Sequence, residues 1–427
     1  MTLRLFLALG LFIPALTAQA ECRFDPLDRG RVVKLSGQDV PGAQGKTLDS
    51  LSVMRVEQGR FVPVPYQFDE LDEHGMVWFE GSQFAMIGEA GHLDAADQLL
   101  MMLTDAGPQA PATLRPARGT IVADIAVANN CHFYLVEGSR QRSQDYYVAH
   151  DVDSGMTRTA LYELNVEPEN ELNWLYLGYQ GYQGEGSIID TLKMRMSAGV
   201  LSRFTRMSLD NHNLRPKQVG HLIGPIRSVM HLRTKVVLAG IPVMTIQVQA
   251  MRYAAHYEAH TFARIPELYR ATLKDPEVAV TVDGNGQIGA KVYTARFADN
   301  PVTVDGKKDV DDQAFAGQQI SMEENWILFD SRKQFSLLTA MTVPDELLKT
   351  RVELIYEDDR DLKVEPEQFT GQLPNLGYSL QGWPEPQELR FTVSLYFDEG
   401  LHGMEAGAFA QQRSAAVPYA VSEPVSE

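Results

Sequence analysis

The stretch IRSVMHLRTKVVLAGIPVMTIQVQAMRYAAHYEAHTFA, residues 226–263, carries the clearest structural pattern in the chain. Apolar and polar residues alternate on both sides of the Ala-Gly-Ile-Pro segment at 239–242, and such a segment is typical of a turn. The pattern predicts a long antiparallel hairpin whose second strand covers residues 243–263. A hairpin of this length must bury one face, so we expect it to belong to a large sheet.

The same period of two recurs along most of the chain. It is clear in LDSLSVMRVEQGRFVPVPYQFDE (48–70), in VAVTVDGNGQIGAKVYTARF (278–297) and in ELRFTVSLYFDEG (388–400). Helical patterns are restricted to short stretches such as RIPELYRATLKD (264–275). We therefore predict a mainly β fold, a large antiparallel β-sandwich of the supersandwich kind, with a small N-terminal β domain and few helices.

Composition shifts along the chain predict its division into segments. The segment PQAPATLRPARG (108–119) is rich in proline and alanine, which is typical of a linker, and the end of the chain lacks periodicity. The predicted organisation is a signal peptide at 1–20, an N-terminal β domain at 21–107, a linker at 108–119, a central β-sandwich at 120–300, a C-terminal β region at 301–410 and a disordered tail at 411–427.

The first residues have the features of an export signal. Arg4 precedes the apolar run LFLALGLFIPALTA, and Ala18-Gln19-Ala20 is a typical cleavage site. We predict a periplasmic or secreted protein without a transmembrane segment. Cys22 and Cys131 are its two cysteines, and in an oxidising compartment we expect them to form a disulfide; the alternative is a free, buried thiol at Cys131.

The charge of the chain is unevenly distributed. The formal net charge is −18, which argues against nucleic acid as a partner. Residues 193–274, however, contain thirteen Lys or Arg and three acids, a local net charge of +10, together with five of the ten histidines. This basic segment predicts an anionic partner, either an acidic glycan or a lipid headgroup.

The motif HYEAH at residues 256–260 is the most distinctive cluster within the basic segment. On a continuous strand, one face would carry the alternating residues Arg252, His256, Glu258, His260 and Arg264, and the opposite face Tyr257. Four interpretations stay open: a solvated face, an anion-binding face, an acid–base site using His256, His260 or Tyr257, and a metal site. Because no third metal ligand can be identified, we expect neither a metal nor a cofactor.

Further candidates for ligand binding are arginines of the basic segment and two tyrosines that precede it in the run NWLYLGYQGYQG. Guanidinium groups suit carboxylate, sulfate or phosphate, and tyrosines among glycines and glutamines form either an exposed stacking platform or part of the core. The candidates are Arg203, Arg206, Arg227, Tyr179 and Tyr182.

Two pairs of motifs resemble exported bacterial glycan-active proteins of the galactose-mutarotase and polysaccharide-lyase kind. One pair is VPVPYQFDE (62–70) with ADQLLMMLTDAG (96–107), and the other is GPIRSVMHL (224–232) with the strand that contains HYEAH. The resemblance implies a β-sandwich that binds sugars. In lyases it implies a Tyr or His proton shuttle beside a group that neutralises a uronate, parts that Tyr257, His256, His260 and Arg252 would take.

These observations lead to one main hypothesis and two alternatives. The main hypothesis is an exported β-rich protein that binds an anionic ligand through the basic segment. The first alternative is a carbohydrate-active enzyme, a lyase or a hydrolase, that uses His, Tyr and Arg of the same surface. The second is a non-catalytic envelope factor that docks a protein partner.

Overall fold

The computed structural model describes residues 22–238, 240–321, 323–348, 351–363, 365–369 and 373–423. The predicted signal peptide at 1–20 lies outside the described residues, as does the end of the predicted tail at 424–427. None of the helices in the described part is long and apolar enough to cross a membrane.

Strands dominate the described structure. In chain order they are β1 (Val32–Ser36), β2 (Leu51–Glu57), β3 (Arg60–Pro63), β4 (Tyr66–Asp69), β5 (Gln98–Met102), β6 (Gly107–Pro108), β7 (Thr120–Val127), β8 (Cys131–Glu137), β9 (Ala149–Asp151), β10 (Met156–Arg158), β11 (Tyr162–Glu167), β12 (Asn170–Tyr179), β13 (Ile189–Val200), β14 (Arg206–Leu209), β15 (Leu214–Ile223), β16 (Arg227–Leu238), β17 (Ile241–Tyr253), β18 (His256–Arg264), β19 (Leu273–Gly284), β20 (Lys291–Thr294), β21 (Val302–Thr303), β22 (Trp326–Asp330), β23 (Ser336–Thr342), β24 (Arg351–Glu357), β25 (Asn375–Gln381), β26 (Glu388–Asp398) and β27 (Ala420–Ser422). The α-helices are α1 (Glu267–Thr272), α2 (Val310–Phe315), α3 (Asp345–Leu348) and α4 (Ala406–Ser414).

Within the described residues these strands form five antiparallel sheets. Their strand orders are β1-β5-β4; β12-β11-β10-β9; β14-β13-β19-β25-β24; β15-β16-β17-β18-β26-β23-β22-β20-β21; and β27-β7-β8-β2-β3, in which β6 also pairs with β8. The predicted mainly β fold with large antiparallel sheets and few helices is confirmed.

The largest core lies between the nine-stranded and the five-stranded sheet. Strand β26 shows how the sequence produces it, because its alternating residues Leu389, Phe391, Val393, Leu395 and Phe397 are all buried in this core. Side chains of β13, β19, β24 and β25 meet them from the other sheet. Burial of large apolar side chains stabilises by about 1.5–3 kcal/mol each, which makes this layer the main stabilising element.

A second core lies between the three-stranded sheet and the sheet β27-β7-β8-β2-β3, and these two sheets together are called the N-terminal module. The three-stranded sheet packs against the sheet that contains β2, β7 and β8, around residues such as Leu35, Leu99 and Phe133. The predicted boundary at 107 does not end this module, because β8 pairs with β2 and β7 pairs with β8. The predicted linker at 108–119 therefore connects two parts of one sheet.

The C-terminal segment differs from the predicted disordered tail. Helix α4 buries Phe409 and Ala410 against β22 and β23, and β27 pairs with β7 of the N-terminal module. The hydroxyl of Tyr419 donates to Asp39 at 2.6 Å. The disorder prediction is therefore wrong for residues 411–423, because the partners of this segment lie far away in sequence and leave no local periodic signal.

Residues 243–263 form two strands instead of the predicted single one. β17 ends at Tyr253, the chain reverses at Ala254 and Ala255, and β18 returns antiparallel with Arg252 directly opposite Tyr257. The reversal packs tightly against Gly30, where an added Cβ would lie 2.3 Å from the Cβ of Ala255. The turn is possible at this position because Ala254 and Ala255 are small. The alternation of apolar and polar residues continues through it and so does not indicate a turn.

The predicted disulfide is confirmed. Cys22 and Cys131 are bonded, with their Cα atoms 5.2 Å apart. The bond connects the segment before β1 to the first residue of β8, and Cys131 itself is fully buried.

Candidate functional sites

An apolar pocket lies between the five-stranded and the nine-stranded sheet of the main sandwich. Its volume is about 300 Å³. Side chains of β13 and β14 line one wall, those of β16, β17 and β18 line the other, and both walls are almost entirely apolar. The most characteristic lining residues are Met194, Met196, Met207, Met244, Trp383 and Phe391. Flexible thioethers adapt to irregular apolar ligands, so the lining is suited to a hydrocarbon group.

Exposed apolar side chains surround this pocket. Residues 201–205 connect β13 to β14 and form a tip in which Leu201 is 76% exposed and Phe204 is 84% exposed. The backbone N–H of Leu201 donates to Thr272 of α1 at 2.9 Å, and Leu268 of α1 is also exposed. Ile241, at the start of β17, is another exposed apolar residue. Contiguous patches of exposed apolar residues are typical of interaction surfaces, so this end of the sandwich is a candidate for one.

Positive charge is concentrated at the same tip. Arg203 and Arg206 are exposed, and residues 200–206 contain no acid. The guanidinium of Arg203 lies 5.1 Å from the ring centre of Phe204, and that of Arg206 donates to the backbone oxygen of Asp275 at 3.2 Å. The paired strand β19 places Lys274 opposite Gly199 and Glu277 opposite Ser197, and Glu277 is one of the lining residues of the pocket. Neither arginine lines the pocket, but both lie in the chain between its lining residues Val200 and Met207, with Arg203 in the tip and Arg206 at the first position of β14.

A polar cleft of about 500 Å³ is the second candidate site. It lies between the N-terminal module, the outer face of the nine-stranded sheet and the segment that follows α4. Among its lining residues are Lys34 of β1, His256 and Glu258 of β18, Thr392, Ser394 and Tyr396 of β26, and Arg413. Backbone pairing places His256 opposite Tyr396 and Glu258 opposite Ser394, so the two strands present these side chains on one face.

Glu258 is the centre of the polar cleft. Its carboxylate accepts two hydrogen bonds from the Lys34 ammonium, at 2.9 and 3.1 Å, and one from the Tyr253 hydroxyl at 3.0 Å. The Nε2 atom of His256 lies 3.5 Å from the same carboxylate. Burial alone would raise the pKa of Glu258, but Lys34 and His256 outweigh it and hold the pKa well below its usual value. Glu258 is therefore an ionised acceptor.

His256 is held between two aromatic rings. Its ring centre lies 4.0 Å from that of Tyr253 and 5.2 Å from that of Tyr396, in stacked arrangements. Burial lowers the pKa of His256 to about 4, although Glu258 acts in the opposite direction. The imidazole is therefore neutral near pH 7, with one donor and one acceptor nitrogen. It does not supply positive charge for an anionic ligand.

Arg227 belongs to the contact between the N-terminal module and the large sheet. Its guanidinium donates to Asp69 at 2.7 Å and to the Tyr253 hydroxyl at 2.6 Å, and the residue is 2% exposed. Gln67 strengthens the contact by accepting the backbone N–H groups of Ile226 and Arg227. The residue was predicted to bind a ligand, but its donors are already used inside the protein.

Arg252 and Tyr257 lie on the inner face of the sheet, away from His256 and Glu258. Arg252 is fully buried and forms an ion pair with Glu171 of β12, and the ring of Tyr257 packs 4.9 Å from Trp174. The prediction that Arg252 shares a face with His256 is wrong, because the reversal after Tyr253 changes the alternation. Tyr257 is a core residue, and burial raises its pKa well above the usual value.

The remaining predicted residues are dispersed. His260 is half-buried on the face of Glu258, where burial lowers its pKa, and Arg264 is exposed at the end of β18. Tyr179 and Tyr182 do not form an exposed platform but pack against Phe335. The ring centre of Phe335 lies 5.5 Å from that of Tyr179 and 6.3 Å from that of Tyr182. Sequence reasoning missed Lys34, Tyr396 and the methionines of the pocket. Met194 and Met196 alternate along β13, a signal that resembles ordinary core packing.

In the described part of the chain, the structure contains no group of three or more His, Cys, Asp or Glu side chains that could hold a metal ion. His256 and His260 therefore do not form a three-ligand site with Glu258. The neighbours of His256 in the polar cleft are a lysine, tyrosines and hydroxyl groups, which are poor partners for a transition metal.

Comparison with known proteins shows only distant likeness. No family model and no curated protein matches the chain. An alpha-mannosidase from Enterococcus faecalis V583 aligns with a TM-score of 0.47 and 10% identity over 88% of this chain and 41% of that chain. A glycosyl hydrolase family 38 protein from Enterococcus faecalis aligns with a TM-score of 0.46 and 11% identity over 88% and 42%.

A third structure, the Slr1438 protein from Synechocystis sp. PCC 6803, aligns with a TM-score of 0.33 and 11% identity over 61% of this chain and 97% of that chain. The chain spans about two fifths of the length of the two Enterococcus faecalis chains.

Proposed function

We propose that this protein is an exported binding protein for an anionic amphiphile, such as a fatty acid or an anionic lipid. The hydrocarbon chain would occupy the apolar pocket and the acidic headgroup would bind Arg203 and Arg206 at the tip. The observation that carries the proposal is the position of an almost wholly apolar pocket beside a loop tip that exposes arginines and large apolar side chains together.

The apolar walls supply the larger part of the binding energy. Each methylene removed from water contributes about 0.8 kcal/mol, so about eight buried methylenes contribute about 6 kcal/mol before the cost of association. Leu201 and Phe204 at the tip would contact the same hydrocarbon region or a lipid surface, because they are exposed beside the pocket. The proposal therefore gives a reason for the exposure of these apolar side chains, which would otherwise only reduce solubility.

The tip arginines supply selectivity for an acidic headgroup. A charge-assisted hydrogen bond contributes about 1.5–3 kcal/mol, which corresponds to a tenfold or larger change in affinity. Arg203 lies against the ring of Phe204, and Arg206 donates to the backbone oxygen of Asp275 and to the Ser197 hydroxyl. Within the part of the chain that the structure describes, neither has to break an ion pair to bind a ligand. The neutral analogue of the same chain length should therefore bind more weakly.

The test compares decanoic acid with decanol by displacement of a fluorescent apolar probe. The Arg203→Ala/Arg206→Ala variant should bind decanoic acid at least tenfold more weakly and decanol unchanged. The matched control is Arg115→Ala/Arg118→Ala, which removes two exposed arginines from the 108–119 segment and should bind both ligands like the wild type.

A second pair of substitutions tests the pocket itself. Met207 and Met244 are half-buried lining residues, so Met207→Gln/Met244→Gln keeps side-chain volume and adds polarity. This variant should bind both decanoic acid and decanol more weakly than the wild type does, and circular dichroism should show that its fold is unchanged. Wild-type protein that binds neither ligand, or pocket variants that bind both equally well, would overturn the proposal.

A further inference from the structure

The polar cleft between the N-terminal module and the large sheet has a chemistry unlike that of the apolar pocket. Six of its lining residues carry a hydroxyl group, and Glu258 lines the same cleft: the six are Thr342, Thr392, Ser394, Tyr396, Ser414 and Tyr419. Hydroxyl groups donate and accept hydrogen bonds at once, whereas carboxylates only accept and ammonium groups only donate. From this combination we propose that the cleft binds a neutral sugar residue.

The charges of the cleft favour a neutral ligand. Lys34 is paired with Glu258, the Nε atom of Arg413 lies 3.2 Å from Asp398, and Arg31 donates to Asp28 at 3.3 Å. Each of these cationic side chains thus has a carboxylate beside it. An anionic ligand would have to compete with those carboxylates for the cations. An uncharged sugar hydroxyl can instead donate a hydrogen bond to a carboxylate.

The hydrogen-bonding groups are held in position before a ligand arrives. Glu258 is fixed by Lys34 and Tyr253, and His256 is fixed between two rings. Neutral His256 offers either a donor or an acceptor to a sugar hydroxyl. Polar groups that are already rigid lose little conformational entropy when a ligand binds, and this favours the specific recognition of a small polar ligand.

One wall of the cleft is apolar, as a sugar requires for its C–H face. Val32 of β1 and residues Ala415, Ala416 and Val417 after α4 form this wall. The cleft is assembled from β1, from strands β18, β23 and β26 of the nine-stranded sheet, and from the end of α4 with the segment that follows it. It exists because the C-terminal segment is held in place by α4 and by the pairing of β27 with β7.

The test uses the whole protein and a glycan array that contains neutral and acidic sugars, followed by calorimetric titration with the best neutral sugar. Wild-type protein should prefer the neutral sugar over its uronate counterpart. Thr392→Val and Tyr396→Phe each remove one hydroxyl while keeping shape, and each should weaken binding roughly threefold to tenfold. Thr113→Val, in the exposed 108–119 segment, is the matched control and should have no effect.

Glu258→Gln tests the central carboxylate, but it also removes the Lys34 pair and could loosen the module contact. The two hydroxyl variants keep the proposal testable if Glu258→Gln unfolds. Failure of the wild type to bind any neutral sugar on the array, or equal binding by the hydroxyl variants, would overturn the proposal. The Met207→Gln/Met244→Gln variant should bind the sugar normally, so the outcome is independent of the amphiphile proposal.

Discussion

Replacement of Arg227 by methionine tests whether this arginine is part of the internal module contact or of a ligand site. The substitution keeps much of the apolar stem but removes the guanidinium from Asp69, Tyr253 and Gln98. Asp69 is 1% exposed, and the Gln67 side-chain amide at 2.8 Å would remain as its donor. Removing one partner of a buried ion pair costs about 3–5 kcal/mol, because the other charge stays buried without an opposite charge beside it.

The assay is urea unfolding followed by circular dichroism, in parallel with decanoic acid binding. We expect Arg227→Met to lower the free energy of unfolding by about 3–5 kcal/mol while binding by the folded protein is unchanged. Arg203→Met makes the same chemical change at an exposed tip, so it should alter stability by less than about 0.5 kcal/mol and weaken decanoic acid binding.

A double variant separates the lost pair from the unpaired charge. Arg227→Met/Asp69→Asn removes the charge that the single variant leaves buried, so it should be more stable than Arg227→Met alone. The reasoning is refuted if Arg227→Met stays within about 1 kcal/mol of the wild type, or if it weakens decanoic acid binding as strongly as Arg203→Met does.

Two further predictions concern the disulfide and His256. Reduction of the Cys22–Cys131 bond, whose cysteines are 109 residues apart, should lower the free energy of unfolding by about 2–4 kcal/mol; alkylation of both thiols before reduction would contradict it. The folded-state pKa of His256, about 4, lies below the ordinary value of 6.5, so its stabilising contribution is complete above pH 6.5 and is lost as pH falls towards 4. This loss of stability is about 3 kcal/mol at most. His256→Gln should therefore reduce the change of the urea unfolding midpoint with pH, whereas His212→Gln, at an exposed position, should leave that change as in the wild type. The same pH dependence in His256→Gln and in the wild type would count against the burial of His256.

The amino-acid sequence by itself determined the class of the fold and the disulfide. Alternation of apolar and polar residues is a local property, and it marks strands wherever one face of a sheet is buried, as along β26. Two cysteines in one chain leave a single possible intramolecular pairing, and the structure contains that bond. The high density of basic residues at 193–274 is equally visible in the sequence.

Only the tertiary structure decided which of those basic residues face a ligand. Arg203, Arg227 and Arg252 look alike in sequence, yet the first is exposed at a tip, the second is buried against Asp69 and the third is buried beside Glu171. The reason is that burial depends on which distant segment covers a sheet face, and local alternation carries no information about that segment. The same applies to the polar cleft, where Lys34 lies 224 residues before its partner Glu258.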